Sequence, residues 1–430
     1  MTHFGIVCPC AASHISTMTT LGWELQQRGH QVTFFGLPYA QSMVSDLGLG
    51  FRVVGDSDIP KEKTAQKRAK SSVKVGFAAM RSHIDLAAED VAALLRDAPR
   101  AMREEGVEAL LVDQISYEGG SLAEFLNIPF FNICSALPYN PENSVPPCFT
   151  SWNYQKVWWA KLRNQAGYAL LNYVGQPILD VVREYRQEWK LPWLSKPSDS
   201  YSHLAQISQQ PAEFEFPRTQ LPDCFHFVGP LQNPRIRKPV PFPFEQLTNQ
   251  PLIYASLGTL QNRQIQIFQC IAEACLGLDV QLVISLGGGI SPESMPKLPG
   301  SPLVVGYAPQ LELLKVASLV ITHAGACTVL ETLRDGVPMV AIPITDDQPG
   351  VAARLTWTGA GEAVSLSRLN VPRLRAAVQR VLNEDSYKNN ALRLQQAIER
   401  AGGVTRAVDI IEQALSTGKP VKLLYNFPYE

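Results

Sequence analysis

The 430-residue sequence has no long apolar run, no excess of charge of one sign, and no cysteine pattern typical of a metal site. No uninterrupted apolar stretch comes near the ~18 residues that predict a membrane span. With 38 Lys+Arg against 39 Asp+Glu, the formal net charge is −1, so no basic surface of the kind that nucleic acid requires is expected. These absences exclude a transmembrane protein and argue against nucleic acid as a partner.

The eight cysteines are scattered, and no pair shows the spacing of a zinc site or the regular framework of a disulfide-stapled domain. No basic segment precedes the first apolar run, so no signal peptide is predicted. We therefore expect reduced thiols, no metal and a cytoplasmic location. The 46% apolar content is enough to build the cores of two domains.

Apolar strand-like runs alternate with amphipathic helical runs in both halves of the chain. The main predicted strands are residues 4–8, 31–36, 109–112, 130–133, 252–256, 280–286, 303–305, 319–322 and 339–342. This alternation is typical of parallel sheets that are covered by helices on both faces. Prolines crowd residues 229–243, which indicates a linker. We predict an α/β protein with domains at 1–232 and 246–430, a linker at 233–245, and a helical C-terminal region.

The strongest chemical signal is the run HAGACTVLE at residues 323–331, which follows a predicted strand and opens a helix. Small residues at such a turn expose backbone N–H groups and the positive end of the helix dipole, and both favour phosphate. His323 and the Thr328 hydroxyl would add donors, and Glu331, one turn further on, would accept ribose hydroxyls. On spacing alone, an ordinary helix start with a core histidine is an equally good interpretation.

Two other loops follow neighbouring predicted strands. Tyr307 and Gln310 would stack on and hydrogen-bond a planar base, and Asp347 and Gln348 would bind sugar hydroxyls. Each pair is a weak signal alone, because these residue types are common in loops. Since parallel strands end at the same edge of a sheet, the three loops together predict a ligand site there.

This ordered set resembles the signature of the family 1 UDP-sugar glycosyltransferases, from Tyr307 through residues 323–331 and 336–338 to Gln348. A weaker resemblance covers nearly the whole chain. It implies the GT-B fold, in which two Rossmann-like domains face each other across a cleft and the last helix crosses back to the first domain. Residues 112–114, 221–226, 255–261 and 347–354 are most similar to the bacterial zeaxanthin (carotenoid) glucosyltransferases.

The resemblance implies a role for each donor residue. Tyr307 would stack on uracil, Gln310 would meet the base edge or the ribose, and Glu331 would hold the ribose hydroxyls. The diphosphate would contact His323, Gly325, Cys327 and Thr328, and Thr259 would approach its β-phosphate. Asp347 and Gln348 would hold the sugar. This sequence departs from the family at Cys327, where Asn or Gly is common. The contacts there are largely with the backbone.

The resemblance also places a catalytic base at His14, in the loop after the first strand, with Asp113 after a later strand as its partner. A neutral imidazole near its usual pKa of about 6.5 suits removal of a hydroxyl proton. A carboxylate on the other ring nitrogen would fix the tautomer and stabilise the imidazolium. Without the resemblance, a capping or core histidine would be the favoured interpretation of His14.

The function implied is inverting transfer of a hexose, with UDP-glucose as donor, to the hydroxyl of an apolar acceptor such as a hydroxylated carotenoid, without metal or other cofactor. The aromatic helical region 136–193 would line the acceptor pocket. Sterol, polyketide and phenolic acceptors stay open, as do a nucleotide-sugar epimerase and a non-catalytic nucleotide-sugar binding protein. The basic run at 61–74 is a solvated surface or, alternatively, a membrane-surface contact.

Overall fold

A computed structural model describes residues 1–45, 48–55, 76–237 and 239–422. Its first half is built on a seven-stranded sheet in which every pair of neighbours is parallel. The strands are β1 (His3–Val7), β2 (Gln31–Gly36), β3 (Gly50–Val53), β4 (Ala109–Asp113), β5 (Phe130–Cys134), β6 (Gln206–Ser208) and β7 (Phe225–Phe227). Their order in the sheet is β3-β2-β1-β4-β5-β6-β7.

Five helices of the described residues accompany this sheet. They are α1 (Ala12–Gln27), α2 (Gln41–Ser45), α3 (Gly76–Glu105), α4 (Tyr117–Leu126) and α5 (Trp158–Glu188). Strands β1 and β4 are buried along their whole length, because one core lies between the sheet and α1 and another between the sheet and α3, α4 and α5. Burial on both faces explains why these strands are continuous apolar runs.

The second half repeats the plan with a six-stranded parallel sheet of order β10-β9-β8-β11-β12-β13. Its strands are β8 (Leu252–Ser256), β9 (Gln281–Ser285), β10 (Leu303–Val305), β11 (Ala317–Thr322), β12 (Met339–Ala341) and β13 (Gly361–Ala363). Its helices are α6 (Ile265–Cys275), α7 (Gln310–Leu314), α8 (Ala326–Arg334), α9 (Gln348–Trp357), α10 (Val371–Asn383), α11 (Asp385–Ala401) and α12 (Gly403–Thr417).

The last helix, α12, packs on the first sheet and not on the second sheet, which precedes it in the chain. Residues Ala407, Val408, Ile410, Ile411 and Ala414 of α12 share a core with β1 and α1. At the rim of this contact Arg28 donates to Asp409 over 2.7 Å and to Glu412 over 2.8 Å. The C-terminal helical region therefore crosses between the two halves.

The structure agrees with the predicted alternation and differs in detail. Four short strands, β3, β6, β7 and β13, have no distinct signal in the sequence, because each contains a polar residue and none forms a continuous apolar run. The helix α1 begins at Ala12, so His14 lies in its first turn and not in the preceding loop.

The boundaries of the two domains and the linker at 1–232, 233–245 and 246–430 stay predictions. No helix within the described ranges combines the length and apolar character that crossing a membrane requires.

One fully buried ion pair joins the two halves. Arg354 of α9 and Glu215 of the first half are 0% and 1% exposed, with 2.6 Å between Nη2 and Oε1. Gln210 donates to the other oxygen of Glu215 over 2.8 Å, and the Arg354 guanidinium lies 4.5 Å from the Phe216 ring centre. Burial alone would raise the pKa of Glu215, but the guanidinium groups of Arg354 and Arg218 outweigh it and lower that pKa. The carboxylate is therefore charged and compensated.

We expect Glu215→Gln to lower the free energy of unfolding by about 3–5 kcal/mol, because it leaves a buried guanidinium without its counter-charge. Urea unfolding would measure the change. Glu213→Gln is the matched control: Glu213 pairs with the exposed Arg400 across the same boundary, 3.1 Å away. That variant should cost less than about 1 kcal/mol. Equal losses in the two variants would contradict the importance of the buried pair.

Candidate active site

The predicted catalytic and phosphate-binding residues lie where the strand order of each sheet reverses. In the first sheet β1 and β4 are neighbours, and His14 and Asp113 follow or end these two strands. In the second sheet β8 and β11 are neighbours, and Thr259 and His323 follow them. Crossover helices leave on opposite faces at such a point, so a crevice opens outside the carboxyl ends of the strands.

His14 and Asp113 are in direct contact. The His14 Nδ1 atom lies 2.7 Å from Asp113 Oδ2, and the two side chains are 15% and 1% exposed. The backbone N–H of Ile115 donates to the other Asp113 oxygen over 3.2 Å and so fixes the carboxylate. With Nδ1 held by a carboxylate, the proton sits on Nδ1 and the lone pair on Nε2.

Carboxylates on both sides of the cleft set the charge state of His14. Burial by itself lowers its pKa, but the charge and hydrogen bond of Asp113, with Asp347 and Asp346 of the second half, raise the pKa above its usual value. The influence of the last two residues means that the His14–Asp113 pair and the loop before α9 face one cleft.

The start of α8 is built around His323. Cβ atoms added at Gly258 and Gly325 would come within 2.7 and 2.6 Å of His323 Nε2, so both positions require glycine for the backbone to approach the ring. Gly258 also has a φ of +71°, which other residues rarely adopt. Burial lowers the pKa of His323 to about 4. The imidazole is therefore neutral near pH 7 and offers one N–H.

Glu331 stands at the centre of a polar network that the sequence does not reveal. It is 1% exposed and accepts a hydrogen bond from Gln310 Nε2 over 2.5 Å. Tyr254 in turn donates to Gln310 Oε1 over 3.2 Å. Arg237, from the predicted linker, forms an ion pair with the same carboxylate. The predicted ribose ligand is thus oriented by two side chains, Gln310 and Arg237, and the second of these comes from the predicted linker.

Asp347 and Gln348 occupy different environments although they are adjacent. Burial, followed by the charge of Asp346, raises the pKa of Asp347 to about 6. Its Oδ2 atom is buried and finds no hydrogen-bond partner among the described residues. Gln348 instead accepts backbone hydrogen bonds from Ile344 and Thr345 over 2.8 and 3.0 Å. Asp347 is therefore the acceptor left for a ligand, while the carbonyl oxygen of Gln348 holds the loop.

Cys327 and Asp346 of the second half make side-chain contacts across the cleft. The Cys327 Sγ atom lies 3.8 Å from Thr17 Oγ1 and 3.6 Å from Gln209 Nε2, both of the first half. His83 of α3 lies 3.1 Å from Asp346, with Nδ1 against Oδ1. Asp346 has a φ of +54°, so the loop is held in a conformation unusual for a residue other than glycine.

Several of the other residues predicted to bind donor or acceptor have exposed side chains. Tyr307 is 55% exposed at the mouth of the second sheet, and Thr259 is exposed in the turn after β8. Within the region expected to line an acceptor pocket, Trp158, Tyr173 and Trp193 are 74%, 71% and 63% exposed. That expectation is wrong for Trp158 and Tyr173, because α5 packs inward with its opposite face, and for Trp193, which lies exposed in the loop after α5. The basic run at 61–74 lies outside the described residues.

Arg237, His83 and Gln209 were not predicted as site residues. Arg237 lies in a proline-rich segment, and His83 lies in an ordinary amphipathic helix, so neither carries a sequence motif. Gln209 follows the short strand β6, whose sequence QIS is mostly polar and forms no apolar run. Their places follow only from how the two halves meet. Within the described ranges, no group of three or more His, Cys, Asp or Glu side chains is arranged to hold a metal ion.

Comparison with known families identifies the chain. The model of the "UDP-glucoronosyl and UDP-glucosyl transferase" family matches residues 5–401. The chain belongs to this family. This UDP-glycosyltransferase is 32% identical to a zeaxanthin glucosyltransferase of Pantoea ananas over 98% of both chains. It is also 32% identical to a zeaxanthin glucosyltransferase of Pseudescherichia vulneris, over 98% of this chain and 100% of the relative. The resemblance recognised in the sequence is confirmed.

Solved structures establish the fold of this UDP-glycosyltransferase. The glycotransferase of kitacinnamycin matches with a TM-score of 0.72 and 22% identity, covering 96% of this chain and 99% of that one. The calicheamicin glycosyltransferase matches with a TM-score of 0.69 and 21% identity, covering 98% and 100%. Two parallel Rossmann-like sheets and a helical C-terminal region make this a GT-B enzyme, as predicted.

We expect the two cleft histidines to titrate on opposite sides of the ordinary histidine pKa of about 6.5. His14 should titrate above that value, and His323 near 4. Long-range ¹H–¹⁵N NMR spectra of the imidazoles would measure both, with His14→Gln and His323→Gln for assignment. Asp113→Asn should lower the pKa of His14, because burial then acts without the carboxylate charge. A His14 pKa unchanged in that variant would contradict the contact.

Proposed function

We propose that this UDP-glycosyltransferase moves glucose from UDP-glucose to a hydroxyl of a large apolar alcohol, with inversion and without a metal. A hydroxylated carotenoid such as zeaxanthin is the first candidate acceptor. The observation that carries the proposal is the 2.7 Å contact of His14 with Asp113 in the same cleft as the start of α8. That arrangement provides a base on one side and a phosphate-binding helix end on the other.

His14 acts as the general base in this proposal. Its Nε2 lone pair takes the proton of the acceptor hydroxyl as the oxygen attacks the anomeric carbon of the sugar. The bond from that carbon to the β-phosphate oxygen breaks, and its electron pair leaves with UDP. Asp113 keeps the proton on Nδ1 before the reaction and stabilises the imidazolium afterwards.

The start of α8 receives the diphosphate. Its free backbone N–H groups, at residues 325–328, and the helix dipole are aimed at developing negative charge. Neutral His323 adds an N–H without a competing positive charge, and the exposed Thr259 meets the β-phosphate. Positive potential for the leaving group thus comes from the protein, which is why we propose that no metal is needed.

The rest of the donor is held by the polar network described above. Tyr307 stacks on uracil, Glu331 accepts the ribose hydroxyls, and Gln310 orients that carboxylate. Asp347 accepts hydroxyls of the sugar with its unpartnered oxygen. Because its pKa is about 6, Asp347 is mostly ionised at neutral pH and is a strong acceptor.

Two observations support an apolar acceptor. The relatives that are 32% identical over nearly the whole length carry the name zeaxanthin glucosyltransferase, and this similarity includes the first half. The loop after β5 also supplies partly buried Tyr139 and buried Leu137 and Cys148 beside the second half, near Asp347. Apolar ligands are held chiefly by such buried surface.

We expect His14→Ala to lower the transfer rate by about 10²–10⁴-fold while UDP affinity stays nearly unchanged, because base and nucleotide are held by different halves. Product formation and titration calorimetry with UDP measure the two effects. His203→Ala is the matched control, since His203 is exposed in the loop before β6, at the opposite edge of the sheet. A parallel fall of rate and UDP affinity would refute the role of His14.

We expect zeaxanthin to be glucosylated faster than small phenols or hydrophilic sugars, because a larger apolar surface is buried in the complex. The rates would be compared in one detergent with UDP-glucose as donor, by mass spectrometry of the products. Hydrophilic acceptors faster by about tenfold or more would overturn the apolar acceptor, since that ratio exceeds 1 kcal/mol. UDP release without any added hydroxyl compound would overturn the transfer itself.

A further inference from the structure

The outward face of the first half of α5 carries a stripe of apolar side chains, which exposed Lys161, Gln165 and Asn172 border on one side. Among the fifteen large apolar side chains recorded as exposed in the described residues, six lie between residues 157 and 173. The face, called here the outer stripe, consists of Trp158, Trp159, Leu162, Ala166, Ala169, Leu170 and Tyr173. Spacings of three, four and seven residues put them on one side of the helix, over about 22 Å of its axis.

The outer stripe is not a partly exposed part of the hydrophobic core. The opposite side of the same turns is buried: Asn164 donates to the Asn143 carbonyl over 3.0 Å. A Cβ added at Gly167 would lie 2.9 Å from Pro147 and 3.0 Å from Trp152. The segment is therefore fixed by its inner side on the loop of residues 143–152. Single exposed apolar residues are ordinary, but a continuous stripe of them marks an interaction surface.

The charge within the segment that carries the outer stripe is of one sign. No Asp or Glu occurs between residues 143 and 179, whereas Lys156, Lys161 and Arg163 do. Arg163 stacks over Trp152 and Trp159, at 4.8 and 5.6 Å from the ring centres. The whole chain has a net charge of −1, so this positive segment is local. Exposed Trp and Tyr beside Lys and Arg are typical of helices that lie in the plane of a membrane interface.

We propose that the outer stripe docks on an anionic phospholipid surface. Trp158, Leu162 and Tyr173 enter the boundary between headgroups and acyl chains, and the lysines meet lipid phosphates. A second copy of the chain fits less well, because a two-fold contact would set the positive segment against itself. The proposal differs from a contact through the basic run at 61–74, since every residue it uses is described.

The surface is connected to the cleft by packed backbone. The loop under the outer stripe carries Cys148, whose carbonyl lies against Gly350 in the first turn of α9. That turn begins directly after Asp347. Docking would thus hold the cleft wall close to the lipid, which suits an acceptor that partitions into membranes. This consequence rests on the proposed function, whereas lipid binding by the outer stripe does not.

The test is co-sedimentation of the full chain, without donor or acceptor, with phosphatidylcholine vesicles that contain or lack phosphatidylglycerol. We expect binding to the anionic vesicles, weakened by salt. The variant Trp158→Ser/Leu162→Ser should reduce partitioning about tenfold or more, and Lys156→Glu/Lys161→Glu should remove the preference for anionic lipid. Trp193→Ser is the control, because Trp193 is 63% exposed, between Leu162 at 57% and Trp158 at 74%, but lies outside the outer stripe. Circular dichroism checks that each variant is folded.

Absence of binding by the wild-type chain would overturn the proposal, as would equal losses in the Trp193→Ser control and the double variant. Light scattering after size-exclusion chromatography tests whether a second copy of the chain covers the outer stripe instead. A dimer that becomes a monomer in Trp158→Ser/Leu162→Ser, without vesicle binding, would assign the outer stripe to a second copy and refute the lipid contact. UDP release with a water-soluble alcohol should be unchanged in this variant, so failure of lipid binding and failure of transfer are distinguishable.

Discussion

The buried pair of Arg354 and Glu215 is the contact on which the arrangement of the site depends. Arg354 lies in α9, and its guanidinium reaches across to a carboxylate of the first half where no water competes. The same helix begins directly after Asp347. Fixing Arg354 therefore also fixes the distance from Asp347 to His14. An ion pair at this depth adds little net stability but tolerates few geometries, so it determines how the halves meet.

The cleft that results contains more carboxylates than bases. Asp113, Asp346 and Asp347 all raise the pKa of His14, while burial and Asp346 raise the pKa of Asp347. These groups therefore influence one another's ionisation across the domain boundary. His323 is separate from this cluster: glycine backbone encloses its ring, and burial keeps it neutral. One cleft thus contains one histidine whose pKa is raised and another that is neutral near pH 7.

The aromatic segment after β5 illustrates how one sequence feature divides between two environments. Tyr139 and Leu137 pack between the halves, near Asp347, whereas Trp158 and Tyr173 face outward on α5. A high local content of Trp and Tyr is consistent with either environment. Only the direction in which α5 packs separates them, because the inner side of the helix is already filled by Asn164, Gly167 and Tyr168.

The sequence alone determined the alternation of strands and helices, since buried parallel strands must be continuous apolar runs. It also predicted a phosphate-binding turn at 323–331, because its residues are consecutive and their spacing on a helix is fixed. The family resemblance added His14 and Asp113, which are 99 residues apart and share no local pattern. Their 2.7 Å contact follows from the adjacency of β1 and β4 in the sheet.

Only the tertiary structure decided the pairing of Arg237 with Glu331, of His83 with Asp346, and of Cys327 with Gln209. The partners in each pair are more than ninety residues apart, and one of the two, Arg237, His83 or Gln209, lies in a segment that carries no motif. The short strands β6 and β7 were likewise missed, because neither forms a continuous apolar run and their place is set by hydrogen bonds to β5 and to each other. The local sequence pattern determines whether a segment forms a strand or a helix, and the packing of the two sheets determines which segments come into contact.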